Sequence, residues 1–397
     1  MISAAVIFLD TRQGQEGETL AVHPLHWLGG LTLLERAILT AERAGARTCY
    51  VVGVLHPEIM FRPSFTPRCR VVCVRDVHDR SLTLQTKGAV LAFSVDVIFS
   101  VTLAQALAER LTHASAPSVY VPGFPLTVVH ASLLTPRPWN RWHAAKQNSG
   151  ALAFPPDGYF VKRLGPGVIT AEVERALLAS LSNPQDGVLD RYLNRPLSRW
   201  LTQRLAPLPL RANHITLLSI TVGFAASLLF AAGGYTVPLL GTFVLQAAAV
   251  LDCCDGELAR LRLEESSLGH WLDIVGDTLV HIAVFVGIAW GVAASEHGRL
   301  PLVAGAVLVA GVLPSFVLVT YAERADVARK ASRLWEGRTV ARMLAVLTGR
   351  DFSALILFFA LLSALRWFLW GAALGAHVFW LTLLWLLWRV RRKAVTW

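Results

Sequence analysis

Four aspartates lie in a segment of the C-terminal half that is otherwise strongly apolar. The segment reads Leu251-Asp252-Cys-Cys-Asp255-Gly256-Glu-Leu-Ala259-Arg260 and, eight residues later, Gly269-His-Trp-Leu-Asp273-Ile-Val-Gly-Asp277. A carboxylate deep in a membrane span costs about 2.5–3.5 kcal/mol on insertion scales, so four of them require a compensating charge. Hard oxygen ligands without a histidine–cysteine set are typical of Mg²⁺ or Mn²⁺ rather than zinc.

The spacing of these acids predicts that they converge. Asp252 and Asp255 are three residues apart and share one helix face, and Asp273 and Asp277, four apart, share another. The short connection keeps the two helix ends close together. Arg260 is a candidate phosphate ligand because its planar fork suits that role. Pairing with Arg260 and Arg262 is the structural alternative, but two arginines do not neutralise four carboxylates.

The elements that must position these acids are membrane helices. Each of six apolar stretches approaches the roughly 20 residues that a spanning helix needs. These stretches are 214–233, 236–251, 271–293, 300–321, 352–368 and 372–389, with Arg366 at the turn between the last two. The whole chain is 54% hydrophobic and 16% charged, against roughly 25% charged in soluble domains, which argues against a purely soluble protein and against a disordered one.

The positions of the basic residues predict an orientation. The net charge is +10, and the second half, from residue 189, carries +7 of it. Lys and Arg concentrate in the 323–350 connection and in the C-terminal tail, so the positive-inside rule places both termini and the 252–270 connection in the cytoplasm of an inner or plasma membrane protein. The 323–350 connection either reflects this bias alone or also binds an anionic acceptor, with Arg338 and Arg342 as a phosphate clamp.

In residues 1–185, strand-like and helix-like runs alternate. This pattern predicts a cytoplasmic α/β domain with a mainly parallel, doubly wound sheet. The strand-like runs are Ala4–Leu9, Thr48–Val54, Val71–Val74, Ala89–Val95, Ser118–Val121 and Leu126–Val129, and the helix-like runs are Leu31–Ala44, Val101–Leu111 and Ala171–Leu181. Residues 186–210 predict an amphipathic helix in the membrane interface and a linker, with an ordinary surface helix as the alternative. Residues 211–397 form the predicted all-α six-helix transmembrane domain.

The pattern D-x2-D-G-x2-A-R-x8-G-x3-D-x3-D resembles the signature of the CDP-alcohol phosphotransferase family. All eight defining positions match, from Asp252 to Asp277, and the resemblance covers about residues 189–397. It implies a membrane enzyme that cleaves a CDP-linked alcohol, releases CMP and joins the phospho-alcohol to an acceptor hydroxyl. It also implies a homodimer.

The resemblance further implies a role for each matching residue. Two Mg²⁺ (or Mn²⁺) ions would bridge the diphosphate. The implied metal ligands are Asp252, Asp255, Asp273 and Asp277, and Asp277 would also remove the acceptor's proton. The implied CDP-binding residues are Gly256, Ala259, Arg260, Gly269, Asn213 and Thr216, although Ala212 replaces the proline that usually precedes the Asn-x-x-Thr element. His281, one turn beyond Asp277, either orients that carboxylate or simply packs between helices.

The N-terminal domain resembles sugar-phosphate nucleotidyltransferases of Rossmann-like fold, fused as in bifunctional inositol-phosphate cytidylyltransferase/di-inositol-phosphate phosphate synthases. The resemblance lies in His23-Pro-Leu25, Gly29-Gly30, Leu33-Leu-Glu-Arg36 and the strand ending at Asp96, the implied metal ligand. The expected G-x-G-x-R loop is replaced by the residues from Asp10 to Glu18, and the expected phosphate-binding lysine is His23. These departures favour a degenerate domain that has lost cytidylyltransferase activity and serves dimerisation or regulation.

Three functions follow as alternatives. The first is a Mg²⁺-dependent CDP-alcohol phosphotransferase with an inositol phosphate as acceptor, suggested by the fused architecture. The second is phospholipid synthesis from CDP-diacylglycerol and a small alcohol or its phosphate. The third is a cation-binding transporter, but its acids would be spread along a path or repeated in two halves. We predict no nucleic-acid partner, because the basic residues flank apolar stretches.

Overall fold

The computed structural model describes residues 2–9, 23–53, 61–62, 65–75, 88–114, 116–130, 150–165, 168, 170–181, 187, 189–324 and 352–395. The chain divides into two compact units, which are described separately. The first comprises Met1–Leu181 with Leu261–Leu263, and the second comprises Ser182–Arg260 with Glu264–Trp397.

The first unit is an α/β structure. Its strands and helices, in chain order, are β1 (Ile2–Phe8), β2 (Trp27–Leu28), β3 (Leu31–Thr32), α1 (Leu33–Arg43), β4 (Thr48–Val52), β5 (Arg70–Val74), β6 (Ala89–Ser94), β7 (Val97–Phe99), α2 (Val101–Ala114), β8 (Ser118–Tyr120), β9 (Leu126–His130), β10 (Leu152–Ala153), β11 (Val161–Arg163) and α3 (Thr170–Ser180). Seven strands form one sheet in the order β10-β8-β9-β6-β1-β4-β5.

The sheet is mixed. Strands β5, β4, β1 and β6 run parallel, whereas β9 is antiparallel to both of its neighbours, β6 and β8. The interior strand β1 is buried along almost its whole length, as expected of a strand covered on both faces. The predicted strands and helices are all present, but β9 reverses direction because a short turn, 121–125, joins it to β8.

The second unit is helical. A π-helical turn, Asp190–Asn194, runs directly into the first helix of this unit. The helices, in chain order, are α4 (Arg195–Leu205), α5 (Ala212–Ala231), α6 (Thr236–Leu261), α7 (Ser267–Glu296), α8 (Leu300–Arg324), α9 (Phe352–Leu361) and α10 (Leu365–Val395).

Five helices in the described residues are long and apolar enough to cross a membrane: α5, α6, α7, α8 and α10. The fifth predicted stretch is shorter than expected, because α9 has 10 residues and ends at Leu361. Ser363, whose φ is 54°, turns the chain, so Arg366 lies inside α10 rather than at the turn. The predicted count of six spanning helices therefore becomes five long apolar helices and one short one.

Helices α5 and α7 pack closely through glycines. A Cβ atom at Gly223 would lie 2.5 Å from a methyl carbon of Val280. A Cβ atom at Gly287 or Gly291 would overlap the backbone of α5, at Ser227 and Phe230 respectively. This crossing holds α7 against α5 and thereby sets where the acids of α7 lie.

Candidate active site

The motif acids lie at adjoining ends of two helices. The segment from Asp252 onward forms the last turns of α6, and Asp273 and Asp277 lie near the start of α7. Ser266 caps α7, because its Oγ accepts a hydrogen bond from the Gly269 N–H at 3.0 Å. This cap fixes the first residue of α7 and hence the depth of its two acids.

Three of the four acids come together. The carboxylate oxygens of Asp252, Asp255 and Asp273 lie within 4.8 Å of one another. Asp255 is buried, and its Oδ2 atom accepts no hydrogen bond from the described residues. Three adjacent carboxylates repel one another unless a cation lies between them, and oxygen donors of this kind fit Mg²⁺ or Mn²⁺. The residues present therefore fit a divalent metal ion.

Asp277 stands slightly apart from this group. Its side chain is 42% exposed, and it lines a small cavity that Asp252 also lines. The cavity measures about 30 Å³, enough for a water molecule. Asp277 therefore shares the small cavity with Asp252 and does not line the larger cavity described below.

A second, larger cavity of about 160 Å³ lies next to the acids. All six residues expected to bind CDP line it together with Asp255 and Asp273. They are Asn213, Thr216, Gly256, Ala259, Arg260 and Gly269. Residues that are distant in sequence thus meet in one cavity, because α5, α6 and α7 converge there.

The two motif glycines leave room in this cavity. A Cβ atom at Gly269 would lie 2.9 Å from the Asn213 Oδ1 atom. A Cβ atom at Gly256 would lie 3.1 Å from an Arg260 guanidinium nitrogen, because the Arg260 side chain folds back along α6. Gly269 thus permits the approach of Asn213, and Gly256 permits the guanidinium to lie beside the acids.

Sequence reasoning missed four further residues that line the larger cavity. They are Glu264, Glu265, Ser266 and His270. They occupy positions that the motif leaves unspecified between Arg260 and Asp273. The serine before an apolar run was the available signal, because serine is a preferred residue for capping a helix.

His281 lies near Asp277 and packs against Phe352. Its Nε2 atom lies 4.0 Å from Asp277 Oδ1, and its ring stands edge-on to Phe352 at 4.6 Å between centroids. The distance to Asp277 is too long for a hydrogen bond. The packing contact with Phe352 is therefore the stronger of the two.

The remaining expected site residues fall either outside the described residues or in the first unit. Arg338 and Arg342 lie outside the described residues, as does the segment from Asp10 to Glu18. In the first unit, the fully buried Asp96 carboxylate accepts a hydrogen bond from Arg163 Nε at 2.9 Å. The His23 Nδ1 atom accepts a hydrogen bond from the Leu25 N–H at 3.2 Å. The arginine thus occupies the Oδ2 atom of Asp96, while the buried Oδ1 atom has no hydrogen-bond partner among the described residues.

Comparison with known proteins identifies a matching family and several relatives. Residues 210–388 match the family described as CDP-alcohol phosphatidyltransferase. A bifunctional IPC transferase and DIPP synthase from Rubrobacter xylanophilus is 34% identical over 138 residues, which cover 34% of this chain and 31% of that protein. A protein of the same description from Aquifex aeolicus is 31% identical over 121 residues, covering 30% of this chain and 27% of that protein.

An archaetidylinositol phosphate synthase from Methanothermobacter thermautotrophicus is 33% identical over 98 residues, which cover 24% of this chain and 49% of that protein. The solved structure of a Mycobacterium tuberculosis phosphatidylinositol phosphate synthase with CDP-DAG bound covers 49% of this chain and 94% of that one, at 23% identity and a TM-score of 0.35. The chain thus aligns with less than half the length of each curated relative. The matched residues, 210–388, nevertheless include every position of the aspartate motif.

Proposed function

We propose that the chain is an integral membrane CDP-alcohol phosphotransferase that transfers a phospho-alcohol to an acceptor hydroxyl and releases CMP. One observation carries this proposal. Three carboxylates lie within 4.8 Å of one another, and two of them, Asp255 and Asp273, line a cavity together with all six residues that the family motif assigns to CDP. A transporter would not need this combination of clustered acids and a nucleotide-compatible cavity.

Asp252, Asp255 and Asp273 are the residues that would hold divalent metal, as Mg²⁺ or Mn²⁺ and by family resemblance as two ions. Bound metal would neutralise the diphosphate and stabilise the negative charge on the departing CMP. The close approach of three acids supports this assignment, because such a group is stable only with positive charge nearby.

The chain's own residues supply binding and proton transfer. Asn213, Thr216 and the two motif glycines would hold the cytidine end, and Arg260 would contact a phosphate oxygen. The acceptor oxygen attacks the phosphorus that carries the alcohol, the bond from that phosphorus to the CMP oxygen breaks, and CMP leaves with the electron pair. Asp277 takes the proton from the acceptor hydroxyl. Its exposure and its separate cavity support this role.

The acceptor is proposed to be an inositol phosphate. Two of the relatives are described as DIPP synthases and another as an archaetidylinositol phosphate synthase, so phosphorylated inositol chemistry recurs among them. Arg338 and Arg342 remain the proposed phosphate clamp. Synthesis of a phospholipid from CDP-diacylglycerol is the second candidate, because the matching family is described as CDP-alcohol phosphatidyltransferase.

The protein is proposed to lie in an inner or plasma membrane as a homodimer, with both termini in the cytoplasm. The proposed interfacial helix is α4. Leu197 and Trp200 of α4 and Tyr192 of the preceding π-helical turn are exposed, and Arg204 stacks on Trp200 at 4.2 Å. Exposed apolar side chains interleaved with arginine are typical of a helix at a lipid surface.

A panel of donors and acceptors tests the function. The full chain in lipid nanodiscs is incubated with Mg²⁺, with either CDP-inositol or CDP-diacylglycerol, and with inositol 1-phosphate, inositol or no acceptor. We expect CMP release that depends on one donor and one acceptor and is absent from Asp273→Asn. If none of the donor–acceptor pairs supports CMP release, the proposal is contradicted.

A further inference from the structure

The face of α6 opposite the motif acids carries a second buried carboxylate. Glu257 follows Asp255 by two residues, which places it about 200° away around the helix. Its side chain is 1% exposed. Glu257 is outside the family motif, and nothing in the proposed chemistry uses it.

Helix α4 supplies three hydrogen-bond donors to Glu257. Arg195 Nη1 lies 3.1 Å and Ser198 Oγ 2.8 Å from Oε1, and Thr202 Oγ1 lies 3.0 Å from Oε2. The three donors recur at helical spacing, so they form one face of α4. Arg195 also neutralises the charge of Glu257, so this carboxylate adds no net negative charge behind the motif acids.

Helix α4 is polar where it is buried and apolar where it is exposed. Arg195, Ser198 and Thr202 are buried, whereas Leu197 is 46% and Trp200 is 55% exposed. A helix of a water-soluble protein has the opposite arrangement. Polar contacts, rather than apolar packing, therefore hold α4 to α6.

These contacts lie directly behind the metal-binding turn. The Cys254 thiol donates to the Ser198 carbonyl oxygen at 3.5 Å, and Cys253 and Cys254 are both buried. The two cysteines separate Asp252 from Asp255 in the sequence. One turn of α6 thus points its acids into the site and its cysteines and Glu257 toward α4.

A further polar chain joins the start of α4 to the rest of the unit. Asn194 Nδ2 donates to Asp190 Oδ1 at 2.7 Å, and Gln246 Nε2 donates to Asn194 Oδ1. Ser353 Oγ in turn donates to Gln246 Oε1 at 3.1 Å. Helix α4 is therefore fixed at a second point on α6, Gln246, and cannot slide freely along it.

We propose that Glu257 is a positioning residue that sets the rotation of α6 and thereby the placement of Asp252 and Asp255. A rotation of α6 by about 10° would move a carboxylate at a radius of about 5–6 Å by about 1 Å. A displacement of that size is enough to disturb a metal site, because partners behind the ligands hold their geometry. The inference rests on the proposed function, since it concerns the acids assigned to metal.

Binding of Mn²⁺ alone to the full chain in dodecyl maltoside micelles tests this inference, with free Mn²⁺ measured by electron paramagnetic resonance. The variants Glu257→Gln and the pair Ser198→Ala with Thr202→Val are compared with the wild type. The hydroxyl pair leaves every charge unchanged, so it separates positioning from simple charge attraction. The matched control is Thr242→Val, which removes a buried hydroxyl of α6 whose hydrogen bond, within the described part of the chain, goes to the Leu239 carbonyl oxygen of the same helix.

We expect Glu257→Gln and the double variant of Ser198 and Thr202 each to weaken Mn²⁺ binding by about 10-fold. This is the lower end of the roughly 10–100-fold range that is typical when a partner behind a metal ligand is lost. Thr242→Val should bind as the wild type does, and Asp255→Asn should lose binding. Circular dichroism and gel filtration establish that each variant is folded. Wild-type affinity in both Glu257→Gln and the hydroxyl pair, with binding lost in Asp255→Asn, would overturn the inference and leave the proposed function standing. Absence of Mn²⁺ binding by the wild type would instead contradict the metal assignment itself.

Discussion

At the scale of single residues, the four motif acids have two different surroundings. Asp252, Asp255 and Asp273 face one another within 4.8 Å, which suits a shared cation. Asp277 lies outside that group and is 42% exposed. This difference supports a division of roles, in which three acids hold metal and the fourth accepts a proton.

Replacement of Asp277 by asparagine tests that division. Asparagine preserves size and hydrogen bonding but cannot accept the acceptor's proton, so we expect kcat to fall by about 10²–10⁴-fold, the usual contribution of a general base. Donor affinity should stay within about threefold of the wild type, because binding relies on the other residues. CMP release and equilibrium donor binding are measured on the same preparation. Unchanged kcat would remove Asp277 from the mechanism.

Gly269 offers a second test at this scale. In Gly269→Ala the new Cβ atom would lie 2.9 Å from Asn213 Oδ1 and displace it from the nucleotide cavity. We expect donor affinity to fall by about 10-fold, equivalent to about 1.4 kcal/mol. Gly371→Ala is the matched control, since its Cβ atom would meet nothing within 4 Å. Equal donor affinity in the two variants would count against the assigned role of Gly269.

The proximity of motif acids on one helix could be predicted from the sequence, because helical periodicity links spacing to a shared face. Asp252 and Asp255, for example, could be placed together from their separation alone. Glu257 could not be assigned in this way. Its role depends on which helix packs behind α6, and that contact joins residues about sixty positions apart.

At the scale of elements, the crossing of α5 and α7 depends on glycine. A Cβ atom at Gly291 would overlap the carbonyl oxygen of Phe230, which is backbone and cannot move aside. We expect Gly291→Ala to destabilise the helical unit by about 1–3 kcal/mol, as is typical of overpacking. Thermal unfolding in micelles measures the change against Gly375→Ala, where a Cβ atom would meet nothing within 4 Å. Similar melting temperatures in both variants would show that the crossing can relax.

Element types were more predictable than element ends. Long apolar runs predicted the five long apolar helices of the described residues, whereas the run from residue 352 to 368 contains a turn that its composition does not indicate. The turn requires Ser363 to adopt a φ of 54°, which few side chains adopt and which no glycine or proline marks in the sequence. The very short strands β10 and β11 were also missed, because two or three residues carry too little pattern.

At the scale of the whole molecule, the two units differ in the surroundings of their candidate site residues. In the helical unit the six residues expected to bind CDP line one cavity, whereas the Asp96 carboxylate of the first unit is paired with Arg163. We expect the full chain to release no pyrophosphate above background from CTP and inositol 1-phosphate in the presence of Mg²⁺. Rapid pyrophosphate release would show that the first unit is an active cytidylyltransferase.

The orientation of the whole chain is also testable. Arginines follow the apolar part of α10 at the C-terminal end of the helix, and Arg389 stacks on Trp385 at 4.3 Å. The positive-inside rule then predicts a cytoplasmic C-terminus. In a bacterial host, a C-terminal green fluorescent protein fusion should fluoresce, and a C-terminal alkaline phosphatase fusion should be inactive. The reverse pattern would contradict the proposed topology.

The most direct test of the central claim is the metal dependence of CMP release. The full chain in nanodiscs is assayed with the CDP-alcohol and acceptor that support its turnover. We expect EDTA to abolish CMP release, Mg²⁺ to restore it, and Asp255→Asn and Asp273→Asn each to remain inactive at every Mg²⁺ concentration. CMP release that persists in EDTA, or in both variants, would contradict the account.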